Sequence, residues 1–252
     1  MYRFFSKLAQ RHSRKILLIL TLLVGISLIL AFISLTEATM KGEKKLKTPE
    51  KEAMIAQAIE KAKRFYPQGK LREALSILKE CLRNCGSDPR IFTEMGYIYE
   101  LTGDPKKAES FYKKALKLDP DFFAALNNLG NLYLRMGKKE KAVELLQKAS
   151  VVQPDSYLVH YSLGLAYQSM GKLNKALSEY RVALSLNQND PDIYMMLGML
   201  YDKIGKYEEA ALFYDKFLKI YPKGVPQYEK VAQIARERIK ELLSGGNNIT
   251  LH

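Results

Sequence analysis

Cysteine and histidine are both scarce in this chain. Two cysteines, Cys81 and Cys85, and three histidines, His12, His160 and His252, occur in 252 residues. The histidines are scattered, and a zinc site generally takes four ligands, so neither a metal site nor a cofactor is expected. Cys81 and Cys85 stand four apart on an expected helix. They read as small buried thiols, with a disulfide open to them only if the helix ends there and the compartment is oxidising. Acidic residues are also short at one end: the first 51 positions hold ten of the 40 Lys/Arg but only three of the 27 Asp/Glu. The remaining 201 residues therefore account for only +6 of the formal +13, in alternating Lys and Glu, which reads as solvated surface before it reads as a polyanion site. No catalytic constellation can be assembled. The pairs Gly137-Lys138, Gly171-Lys172 and Gly205-Lys206 fail as phosphate loops, because the preceding glycine is seven residues back and no Ser or Thr follows the lysine. An enzyme is not expected.

With 47% apolar residues the chain can nevertheless bury a core. Residues 16–35, ILLILTLLVGISLILAFISL, carry no charge and have the length that spans a hydrocarbon layer as a helix. Arg3, Lys7, Arg11, Arg14 and Lys15 precede the run. A cleaved signal would have a shorter apolar region and a small-x-small site, so an uncleaved anchor is expected. Its short basic amino terminus belongs in the cytoplasm, which would put the rest across the membrane, in the periplasm if the cell is bacterial. Lys41, Lys44, Lys45 and Lys47 after the span weaken that orientation. A cytosol-facing domain on a eukaryotic organelle is the alternative. Residues 1–15 are thus a basic segment, 16–35 a transmembrane helix and 36–51 a tether, with Thr48 and Pro49 shaped to start a helix.

From Ile55 onward the sequence repeats every 34 residues. Gly96, Gly130, Gly164 and Gly198 form one column, and Tyr99, Tyr133, Tyr167 and Tyr201 another. Gly103, Gly137, Gly171 and Gly205 mark a turn, and Ala108, Ala142, Ala176 and Ala210 follow it. Further columns hold Tyr112, Leu146, Tyr180 and Tyr214; Ala115, Ala149, Ala183 and Phe217; and Pro120, Pro154, Gln188 and Pro222. Small residues let two helices approach, large ones fill the space beside them, the turn glycine supplies a positive φ, and the proline stops the second helix. This pattern resembles the tetratricopeptide repeat, a helix-turn-helix unit. The resemblance implies an all-α fold: a right-handed superhelical solenoid of helix hairpins, preceded by one transmembrane helix. Four good units fall at 89–122, 123–156, 157–190 and 191–224, after a degenerate one at 52–88. A capping helix is expected at 225–244, with Val231, Ile234, Ala235, Ile239 and Leu242 inside, and a loose tail at 245–252.

In that family the first helices of successive units line a concave surface on which peptides dock. The matching columns hold Thr93, Tyr97 and Glu100; Asn127, Asn131 and Leu134; Tyr161, Leu165 and Gln168; and Met195, Met199 and Asp202. The candidate groove is therefore Tyr97, Asn127, Asn131, Tyr161, Leu165, Met195 and Met199. One subfamily clamps a peptide carboxylate with Lys, Asn and Arg. This chain offers Asn128 and Asn131 but has Asn127, Asp192 and Met196 where the cations belong, so that clamp is not expected. The polar-to-apolar gradient suits a protein or peptide partner with an apolar or amphipathic segment. Two methionines could instead pack under the capping helix. Lys106, Lys107, Lys113, Lys114 and Lys117 fall on a second helix, on the convex side, and read as solvated; His160 falls at a packing position. No nucleic acid is expected as a partner. The function implied is a membrane-anchored scaffold or adaptor, with an organelle receptor for targeting helices, or a lipid or polyanion binder, as alternatives.

Overall fold

A computed structural model describes residues 49–244. The basic segment, the apolar run at 16–35, nearly all of the tether and the tail lie outside the described residues. The chain divides into two compact units, Met1–Ala53 and Met54–His252. Of the first, only the opening of helix α1 is described.

Among the described residues there are eleven α-helices and no strand. They are α1 (Pro49–Lys63), α2 (Leu71–Cys85), α3 (Pro89–Leu101), α4 (Pro105–Leu118), α5 (Phe123–Arg135) and α6 (Lys139–Val152). Then come α7 (Tyr157–Ser169), α8 (Leu173–Leu186), α9 (Pro191–Lys203), α10 (Tyr207–Ile220) and α11 (Pro226–Ser244). Because α1 begins at Pro49, the last three residues assigned to the tether are helical. The second unit is an all-α solenoid of helix hairpins. In four successive hairpins the first helix has 13 residues and the second 14, each starting 34 positions after its counterpart.

The glycine column explains how closely the paired helices pack. A Cβ on Gly96 would stand 2.6 Å from the Tyr112 ring, on Gly130 2.7 Å from Leu146, on Gly164 2.4 Å from Tyr180, and on Gly198 2.7 Å from Tyr214. No side chain fits there, and the large residue of the second helix lies directly over bare backbone. Where that residue is a tyrosine its ring is buried, and in two units the hydroxyl finds a partner: Tyr180 donates to Gln168 Oε1 at 2.8 Å, and Tyr112 donates to Glu100. The turn glycines Gly103, Gly137, Gly171 and Gly205 all have φ between +71° and +77°, a conformation side chains resist.

The other tyrosine column ties one hairpin to the next. Tyr133 donates to Glu109 of α4 at 2.9 Å, Tyr167 accepts from Gln147 of α6 at 3.0 Å, and Tyr201 accepts from Arg181 of α8. Glu109 also holds Lys113 and Lys138, and these hydrogen bonds keep its carboxyl down at about 2, well below the usual range.

Two expectations are corrected. In α8 the second helix stops without the column's proline, ending at Leu186 with Gln188 in that column, whereas α4, α6 and α10 each end two residues before Pro120, Pro154 and Pro222. Asn187 ends it instead: its Oδ1 accepts from the Asn189 backbone N–H at 3.1 Å, as Asp119 accepts from Asp121. Such short polar side chains offer the chain a turn in place of another helical turn. On α11 the buried residues are Ala232, Ala235, Ile239 and Leu242, whereas Ile234 is 58% exposed and Val231 only half-buried. The inward stripe is rotated by one position because α11 seats a small residue, Ala232, in the glycine column and so lies close against α10.

Candidate peptide-binding groove

The stripe that carries the candidate residues runs along α3, α5, α7 and α9. A spacing of four and then three residues places each trio on one helical face. Tyr97 on α3 is exposed, and its ring lies 5.6 Å from that of Tyr66. Asn127 and Asn131 on α5 are half-buried and face each other, with Asn131 Nδ2 donating to Asn127 Oδ1 at 3.4 Å. Tyr161 on α7 is half-buried, its ring 5.8 Å from Tyr180, and burial followed by the nearby Asp192 and Asp190 pushes its hydroxyl pKa up. Leu165 is half-buried against the carboxy-terminal core. On α9 the two methionines part company: Met195 is 6% exposed and belongs to the core, while Met199 is 42% exposed. Thr93 also turns out to be buried, its hydroxyl donating to the Pro89 carbonyl at 2.7 Å.

A hollow of about 390 Å³ opens at the amino-terminal end of the stripe, lined by Lys63, Tyr66, Pro67, Thr93, Glu94, Tyr97 and Asn128. Its charges answer one another. Lys63 Nζ lies 3.0 Å from Glu94 Oε1, and Tyr66 donates to Glu94 Oε2 at 2.8 Å. Burial, reinforced by Glu94, pushes the Tyr66 hydroxyl pKa up, so it stays a donor. Tyr66 is the residue that sequence reasoning missed. The signal was available, because Tyr66 stands 34 positions before Glu100, in a column already assigned to the groove.

At the other end α11 runs parallel to α9. Tyr228, near its start, lies beside Asp192, and Arg238, ten residues on, grips Asp202 with Nε to Oδ2 at 2.7 Å and Nη2 to Oδ1 at 2.8 Å. Burial and the neighbouring Asp190 raise the Asp192 carboxyl pKa. The stripe therefore presents hydroxyls, amides, exposed Tyr97 and Met199, and carboxylates at both ends, which disfavours a peptide carboxylate. His160 lies off it, half-buried, with Nδ1 2.8 Å from Glu179 and Nε2 3.0 Å from the Pro154 carbonyl. On α4, Lys113 pairs with Glu109, Lys107 with Asp104, and Lys114 lies over the Phe111 ring. Lys138, beside a turn glycine, pairs with Glu109 at 3.1 Å.

Among the described residues no group of three or more His, Cys, Asp or Glu could hold a metal, and no helix is long and apolar enough to cross a membrane. The arrangement can bind, through apolar contact and neutral hydrogen bonds, and it places no nucleophile beside a base.

Models of the tetratricopeptide repeat match residues 101–163, and 59–122 together with 161–225. No curated protein matches the chain. Among solved structures, PilF of Pseudomonas aeruginosa is 22% identical with a TM-score of 0.66, over 77% of this chain and 90% of that one. TTC0263, a thermophilic TPR protein of Thermus thermophilus, is 23% identical with a TM-score of 0.58, over 75% and 98%. MamA from Desulfovibrio magneticus RS-1 is 22% identical with a TM-score of 0.54, over 76% and 94%. At these identities the likeness is one of fold.

Proposed function

This chain belongs to the tetratricopeptide repeat family, and on that premise we propose that it is a membrane-anchored, non-enzymatic scaffold of a bacterial envelope assembly. It holds a protein partner in the groove of its first helices. The observation that carries this is the stripe itself. Exposed Tyr97 and Met199, with Asn127, Asn131, Tyr161 and Leu165 between them, line one side of the array along its first helices. A rigid array meets its partner without first having to be ordered. The apolar run at 16–35 anchors it, so both partners meet in the membrane plane at raised effective concentration. An amphipathic or extended apolar segment suits the mixture of an adaptable thioether, aromatic faces and amides.

A reporter active on only one side of the membrane, fused after His252, tests the anchor. A signal on the far side of the bacterial inner membrane is expected, with its loss when residues 16–35 are deleted. A cytoplasmic signal from the intact chain would overturn the periplasmic reading and favour the cytosol-facing receptor.

A further inference from the structure

The turns inside the hairpins collect cations on one edge of the array. Between the turn glycine and the alanine that follows it, the first four hairpins read KLRE (70–73), DPKK (104–107), KKEK (138–141) and KLNK (172–175), nine Lys or Arg against three carboxylates. The loops of the opposite edge, joining one hairpin to the next, read GSD (86–88), DPDF (119–122), QPDS (153–156) and NQND (187–190), with five carboxylates and no cation. Neighbouring turns lie side by side: Lys138 of the third hairpin reaches back to Glu109 on α4 at 3.1 Å, and Lys139 reaches forward to the Ser169 carbonyl at the end of α7. Lys70, Arg72, Lys106, Lys141 and Lys172 are exposed and have no carboxylate partner among the described residues. We propose that this basic edge is a docking surface for anionic phospholipid, the headgroups of the membrane that the anchor enters.

Helix stability does not account for these cations. The N-cap residue of α2, α6 and α8 is a lysine, Lys70, Lys138 and Lys172, and none of the three helices has a side-chain cap. A helix amino terminus carries partial positive charge and favours Ser, Thr, Asp or Asn at that position, so a lysine there weakens the helix it starts. The repeated cost is offset only if the charge is used elsewhere. Eight of the nine cations are lysines, compact charges suited to a fluid anionic surface. A nucleic acid is gripped instead by arginine forks and stacked aromatic rings, and these four turns hold one arginine and no aromatic residue. The bilayer itself rests on the anchored reading proposed above. The thirteen residues 36–48 hold Pro49 within roughly 45 Å of an anchor at 16–35, their full extension.

The test uses the full chain in nanodiscs of phosphatidylcholine alone or of an equal mixture with phosphatidylglycerol. The chain contains no tryptophan, so Asn174→Trp, at an exposed position of the fourth turn, and Val151→Trp, exposed towards the opposite edge, each supply a single fluorescent reporter. A phospholipid with a nitroxide on its headgroup should quench the first reporter in the phosphatidylglycerol discs only, and the second in neither. High salt should abolish that quenching. So should Lys106→Gln, Lys141→Gln and Lys172→Gln combined, with an unchanged circular dichroism spectrum; the triple variant leaves Lys41, Lys44, Lys45 and Lys47 in place and so separates the edge from the tether. Quenching of the first reporter that is equal in both discs, absent from both, or unmoved by the triple variant would overturn the proposal. An unquenched edge that crosslinks an acidic protein or a nucleic acid in the native membrane would overturn it too, and assign the edge to that partner. Failure of the anchored reading looks different: the chain would then leave the phosphatidylcholine discs, and charge-dependent quenching on the mixed discs would still support the basic edge.

Discussion

Gly164→Ala is expected to destabilise the repeat array by about 1–3 kcal/mol, the usual cost of overfilling a packed core. Alanine is the better helix former by about 1 kcal/mol, so propensity alone predicts the opposite sign. Packing wins because the added methyl would meet Tyr180 Cε1 at 2.4 Å and Cδ1 at 2.5 Å, well inside contact distance. The ring cannot move aside: Tyr180 is fully buried, and its hydroxyl is tethered to Gln168. Denaturant midpoints should fall with the slope unchanged. A double-mutant cycle identifies the cause. Tyr180→Ala alone should cost about 3–5 kcal/mol, and adding Gly164→Ala to it should cost nothing more, since the methyl then occupies vacated space. Additive losses would show that the glycine serves something other than this contact.

Met195→Ala and Met199→Ala, four residues apart on one helix, are expected to behave as opposites. Met195 is packed in the core that joins α9 to α10 and α11, so its truncation should cost about 2–5 kcal/mol. Met199 is 42% exposed, and its truncation should move stability by no more than about 0.5 kcal/mol. Partner capture should show the reverse, falling for Met199→Ala while Met195→Leu, which keeps volume, leaves both stability and capture near the parent. Equal stability losses would mean that the capping helix covers both methionines, and the groove would then end at Leu165.

The hairpins were legible in the sequence because their determinants are backbone-scale. A glycine under a ring, a glycine at positive φ and an alanine between helices each tolerate almost no substitution, so they recur as columns. Stripe positions are not read so cleanly. Met195 and Met199 both fall in groove columns, yet Met195 is packed in the core and Met199 is 42% exposed, as Thr93 and Tyr97 divide in the same two columns of the first good unit. A spacing of four puts both residues on one helical face, and the sequence does not say which edge of that face is covered. Ile234 misled for the same reason: helical periodicity puts it on the apolar face, and only the docking of Ala232 decides which edge of that face is covered. Tyr66 was missed because α1 ends at Lys63 and the degenerate unit hides the register, although the period itself continues through it.

The claim that a partner is held on the first-helix stripe is tested most directly by photocrosslinking in the native membrane. A photoreactive residue is placed at Tyr97, at Met199, or at Val151, which is 81% exposed on the second-helix side. The account predicts one adduct of the same mass from positions 97 and 199 and none from 151. An adduct from 151 with none from 97 or 199 would contradict it.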